Sequence, residues 1–138
     1  MTEVLLTLHV LAAILAIGPV SVAGSLFPRY AREGNAGVMA ALHRICRGYA
    51  LVGVAVPLFG FGTGATLGVL AQAWLVASIA LTGAAAALLA FAVLPVQARV
   101  VAGDVPGERV AGRLAMVTGI FNLLWTAVAV LMIVRPGA

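Results

Sequence analysis

The chain reads as an all-α, four-helix transmembrane bundle that forms a single domain over residues 1–138. Three observations predict it. First, 64% of the residues are hydrophobic and 9% charged, with mean hydropathy +1.18. A soluble domain is about a quarter charged and under half apolar. So much apolar surface needs lipid as its solvent. Second, four apolar stretches, at about 4–27, 49–70, 74–96 and 114–134, each match the ~20 residues that cross a bilayer core. Third, the arginines gather between these stretches rather than within them.

The first span starts behind Glu3 with no basic segment ahead of it, so it is expected to persist rather than be cleaved as a signal peptide. Pro28 opens a basic connector through Arg29, Arg32, Arg44 and Arg47. Within it Val38–Arg47 can be helical and run into the second span. Ala71–Ala73 form a short turn before the third span. Gly103, Asp104, Pro106 and Gly107 give a strong loop signal between the third and fourth.

All eight basic residues are Arg. Seven of them, Arg29, Arg32, Arg44, Arg47, Arg99, Arg109 and Arg113, lie in the two longer connectors, and Arg135 lies at the other end. Short basic loops stay in the cytoplasm. Connectors 28–48 and 97–113 are therefore expected inside and both termini outside. The bias toward Arg, Ala, Gly and Val suggests a GC-rich bacterial genome, and hence a bacterial inner membrane. The sequence pI near 10.7 does not imply nucleic acid, because the arginines flank spans and set orientation. Cys46 is the single cysteine, which excludes an internal disulfide or a CxxC pair; in a bacterium it is expected to be a free thiol.

Two hairpins in tandem are readable as a weak repeat. Pro28-x-x-x-Arg32 matches Pro95-x-x-x-Arg99, and Arg47 with Gly53 matches Arg113 with Gly119, at an offset of 66 or 67 residues. Parallel duplications of this kind occur in transporters, although short motifs also coincide in biased sequence.

Helices in lipid associate through small residues and polar contacts. Gly60, Gly64 and Gly68 recur every fourth residue along the second span and form a backbone-approach face, with Pro57 expected to kink that helix. Thr118, Asn122 and Thr126 make a polar stripe on the fourth, which Ser78 and Thr82 of the third span are placed to answer. Either that stripe is interhelical glue or it lines a small-solute path. Against a proton- or sodium-coupled path, Glu3, Glu33, Asp104 and Glu108 all lie outside the spans.

His9 is the candidate ligand. An imidazole about two turns inside the first span can ligate haem iron or copper, relay a proton, or hydrogen-bond a neighbouring helix. His43 belongs to the basic connector, roughly a bilayer away, so the two cannot share a metal. No paired carboxylates, phosphate loop or Ser-His-acid set is visible, and no dedicated metal site is expected.

Leu8-His9-Val10-Leu11-Ala12-Ala13, Gly18 in the same span and a connector ending in Arg44 and Arg47 resemble uncharacterised bacterial four-helix integral membrane proteins. The first-helix pattern is also similar to the copper-resistance D type and to the haem-binding membrane protoporphyrinogen oxidase. In the latter a first-helix His binds haem, which implies His9 as a haem b ligand here. The resemblance covers about a quarter of the chain, and the Lys near the haem in the oxidase type has no counterpart in a chain without Lys.

The leading expectation is a non-enzymatic inner-membrane protein. Its partners would be the bilayer and either copies of itself or a larger membrane complex, not nucleic acid. A haem-binding or redox protein using His9, and a small-solute transporter built from a duplicated two-helix unit, are the competing readings.

Overall fold

Each apolar stretch becomes a helix longer than the stretch itself. The computed structural model describes residues 2–68 and 71–134. Its helices are α1 (Glu3–Glu33), α2 (Ala36–Leu67), α3 (Ala73–Val101) and α4 (Gly107–Val134), all long and apolar enough to cross a membrane. They form a four-helix transmembrane bundle, with no strand among the described residues. Arg135, and positions 69 and 70 of the second expected span, fall outside those residues.

With 28 to 32 residues apiece, the helices are about 42–48 Å long and outrun a ~30 Å hydrocarbon core. Hydropathy marks only the part that lies in lipid. Backbone hydrogen bonding carries each helix onward until a residue stops it. The connectors expected over 28–48 and 97–113 therefore shrink to a two-residue turn, Gly34–Asn35, and the loop 102–106.

Three of these stops use one device. Gly34, Gly68 and Gly103 adopt left-handed φ values of 70°, 72° and 82°. Only glycine reaches that region without a Cβ penalty. The Gly34 N–H donates to the Ala31 carbonyl and the Asn35 N–H to that of Tyr30. Gly103 and Asp104 repeat the pattern on Val100 and Arg99. Asn35 then caps α2, its Oδ1 accepting from the Val38 N–H at 3.2 Å. Both of these turns lie at the same end of the bundle, and with them seven arginines; we call this the basic end.

Prolines shape the spans. A proline has no N–H for the carbonyl four residues back and crowds it as well. Pro19 and Pro95 remove the usual helical donor, the N–H four residues on, from Leu15 and Phe91. Those residues sit at the centres of two π-helical turns, Ala13–Ile17 and Leu89–Val93. Pro57 likewise removes the helical donor four residues on from Gly53, whose carbonyl accepts from the Val56 N–H at 3.1 Å instead, and α2 breaks into a turn at Gly53–Val54. The interruption lies one turn before the proline. Pro28 lies inside a continuous helical segment, so it does not begin a connector. The carbonyl it leaves without its helical donor belongs to Gly24. Pro28 and Pro95, paired in the sequence repeat, thus sit in different local backbones.

The packed core lies toward the basic end. Ala23, Phe27, Ala31, Met39, Leu42, Cys46, Val100, Ala111 and Leu114 form one buried cluster drawn from all four helices. A smaller one, Val20, Ala85 and Phe121, sits near mid-span. Toward the other end the helices pair off, α1 with α2 and α3 with α4. Gly107 seals the basic end, where its backbone meets that of Ala31. A Cβ at Gly107 would run into the Ala31 carbonyl oxygen.

Candidate functional site

His9 lies half-buried in the first segment of α1 and faces α2. Its Nδ1 is 2.7 Å from the Val56 carbonyl oxygen. A carbonyl only accepts, so Nδ1 carries the proton, and a neutral ring keeps its lone pair on Nε2. The ring rests on Gly60, where a Cβ would come within 2.8 Å of Cε1. Gly60 is thus a seat for His9, and the break above Pro57 sets the height of the carbonyl it binds. A proton-donating Nδ1 on a backbone carbonyl is how a protein orients an imidazole whose Nε2 is to serve as a ligand. The same bond also joins α1 to α2.

The other glycines of the expected packing face differ from Gly60. Gly64 is buried within the chain. Gly68 lies beyond the end of α2 at Leu67, in the left-handed region, so its role is to end the helix and not to pack it.

The polar stripe on α4 faces α1, not Ser78 and Thr82 of α3. Ser21 Oγ donates to Asn122 Oδ1 at 2.6 Å, and Asn122 Nδ2 donates to Ser25 Oγ at 3.1 Å. The Trp125 indole N–H reaches Asn122 Oδ1 at 3.4 Å, and Thr126 Oγ1 donates to the Asn122 carbonyl at 2.6 Å. Ser78 instead bonds back to Trp74 on its own helix. The third member of the stripe, Thr118, is 3% exposed, and its Oγ1 has no hydrogen-bond partner among the described residues. It packs on Gly24, whose Cβ position lies 3.2 Å from its methyl carbon.

His43 also turns inward. Its Nδ1 is 3.1 Å from Oε1 of Gln97, which is fully buried, and Gln97 Nε2 donates to Cys46 Sγ at 3.8 Å. Cys46 in turn points at the Val20 carbonyl. Sequence reasoning passed over Gln97. The available signal was a neutral polar residue two positions past Pro95, next to an apolar span.

The four carboxylates lie at helix ends or in the loop: Glu3 and Glu33 on α1, Asp104 between α3 and α4, and Glu108 in the first turn of α4. Among the described residues no group of three His, Cys, Asp or Glu side chains is placed to hold a metal. His9 offers one nitrogen, Nε2, to a ligand.

Compared with known proteins, the chain matches no family model, no curated protein and no solved structure, so its resemblance to other membrane proteins stands on the residues of the first helix and its connector alone.

Proposed function

We propose that this protein acts by lateral association within a membrane, as a self-associating bundle or an accessory subunit of a larger complex, and not as an enzyme. The α1/α4 seam carries the reading. Ser25 and Thr126 are exposed on the outside of the bundle, each eight residues from one end of its helix, in apolar stretches where a hydroxyl would have no water to meet. Seven residues from each, on the same helical faces, stand Gly18 and Gly119, whose Cβ positions meet open space. Small residues beside polar ones let another helix approach closely and share hydrogen bonds. No more than 17% of any apolar window is buried inside the chain, so the outer surface available to a partner is large.

Gly119→Leu tests this, with oligomeric state measured by light scattering in mild detergent and by dilution in bilayers. Loss of association with unchanged helicity supports the reading. A wild-type protein that stays monomeric and co-purifies with no partner overturns it. Gly64→Leu serves as the contrast, because Gly64 is interior and its substitution reports on folding.

The proposed setting is a bacterial inner membrane with the basic end in the cytoplasm and both termini outside. Seven arginines at one end support that orientation. Reporter fusions to the C-terminus and to the 102–106 loop would give opposite compartments.

A second reading rests on His9. With Nδ1 held on the Val56 carbonyl, His9 Nε2 would be the atom to hold haem b, a group that would supply one-electron chemistry. Optical spectra of the protein as isolated and after reduction distinguish the two readings. A Soret band abolished by His9→Ala supports haem; a colourless preparation from haem-replete cells overturns it.

A further inference from the structure

Seven arginines sit at the basic end, and their surroundings differ. Arg29 pairs with Glu33 at 3.6 Å, the one ion pair among the described residues. Arg32 borders a concavity that Glu33 and Glu108 also line, so its charge is offset there. Arg44 and Arg47 project outward from α2 and line neither concavity at this end. The remaining three converge. Arg99 from the last turn of α3, with Arg109 and Arg113 one turn apart on α4, line a concavity of about 230 Å³ whose other walls are Val96, Val105 and Val110. No carboxylate lines it, although Asp104 and Glu108 lie nearby in the chain.

We propose that this concavity binds the phosphate of an anionic phospholipid headgroup. Three arginine side chains line this space with no carboxylate among its walls, which leaves it net positive and suited to an anion. The planar fork of Arg matches phosphate oxygens two at a time. Its position fits a lipid. Val96 closes the apolar part of α3, and Arg99 follows one turn later, at the depth where headgroups lie and basic pockets between helices take anionic lipids. The three valines give the glycerol and upper acyl carbons an apolar wall, which a free phosphate ion would leave unused. Binding here would join the end of α3 to the start of α4 across the 102–106 loop.

The test is native mass spectrometry of the whole protein in mild detergent, titrated separately with phosphatidylglycerol, phosphatidylcholine and inorganic phosphate. Arg109→Gln/Arg113→Gln is compared with Arg44→Gln/Arg47→Gln, which removes equal charge from outside the site. We expect phosphatidylglycerol to bind well and phosphatidylcholine poorly. The pocket variant should weaken phosphatidylglycerol by about tenfold or more, and the control variant by less than about twofold. Arg109→Lys/Arg113→Lys should fall between them, and Arg99→Gln decides the matter if the double variant does not fold. Equal losses in the pocket and control variants, or equal binding of the two lipids, would overturn the proposal. Inorganic phosphate bound by the same arginines as tightly as the lipid would reassign the site to a free anion.

Discussion

Ser21 and Asn122 stand 101 positions apart in the chain and 2.6 Å apart across the α1/α4 seam. The bond ties the first helix to the last at a depth where water cannot substitute for either partner. Asn122 also holds Ser25 and Trp125, which makes it the hub of the seam. In a double-mutant cycle, Ser21→Ala and Asn122→Ala should show a coupling of about 0.6–1.7 kcal/mol, read from unfolding in mixed micelles. Simple additivity would mean that the pair contributes nothing beyond its parts. Asn122→Leu in liposomes addresses transport: loss of a solute flux with unchanged unfolding would favour the transporter reading over interhelical glue.

Thr118 should behave in the opposite way, although it lies on the same stripe. Its hydroxyl is buried and unpartnered. Thr118→Val keeps the shape and removes the orphan, so stability should stay level or rise by about 1 kcal/mol. A clear loss in thermal unfolding would show that the hydroxyl has a partner in the membrane.

Gly60 and His9 form a third pair. Gly60→Ala places a methyl group within van der Waals overlap of the imidazole and should cost about 1–3 kcal/mol by forcing the ring off the Val56 carbonyl. Once His9 is Ala, the same substitution has little left to displace. The double variant should therefore be more stable than the sum of the single losses predicts. Strict additivity would mean that the ring does not rest on Gly60.

Two glycines of α4 give a contrast within one helix. Gly107→Ala drives a carbon against the Ala31 carbonyl oxygen and must shift backbone, so a loss of about 1–3 kcal/mol is expected. Gly112→Ala meets nothing within 4 Å and should gain up to about 1 kcal/mol of helix propensity. Equal effects at the two positions in thermal unfolding would contradict the close approach of α4 to α1.

The four spans were legible because twenty apolar residues in succession have few alternatives. Their ends were not, because hydropathy reports lipid thickness whereas a helix stops where Gly34 or Gly103 turns left-handed. Pro28 read as a boundary, yet α1 passes through it. Asn122 could be placed at mid-depth from spacing alone. Its partner could not, since a helical face does not say which neighbour it meets, and α1 supplied Ser21 and Ser25 where α3 had been expected to answer. The arginines are readable in the sequence as a cluster at one end of the spans; that Arg99, Arg109 and Arg113 share one concavity depends on how the 102–106 loop folds back.

The backbone irregularities next to Pro19, Pro57 and Pro95 have a mechanical consequence. Straight apolar rods in oil can slide lengthwise or roll against one another at little cost, since each new register buries much the same surface. A rod with a knuckle cannot. The distortions at Ala13–Ile17, Gly53–Val54 and Leu89–Val93 lie in three of the four helices and work as detents that fix height and rotation. In a chain with so few charged groups at depth, shape thus supplies the indexing that ion pairs provide elsewhere.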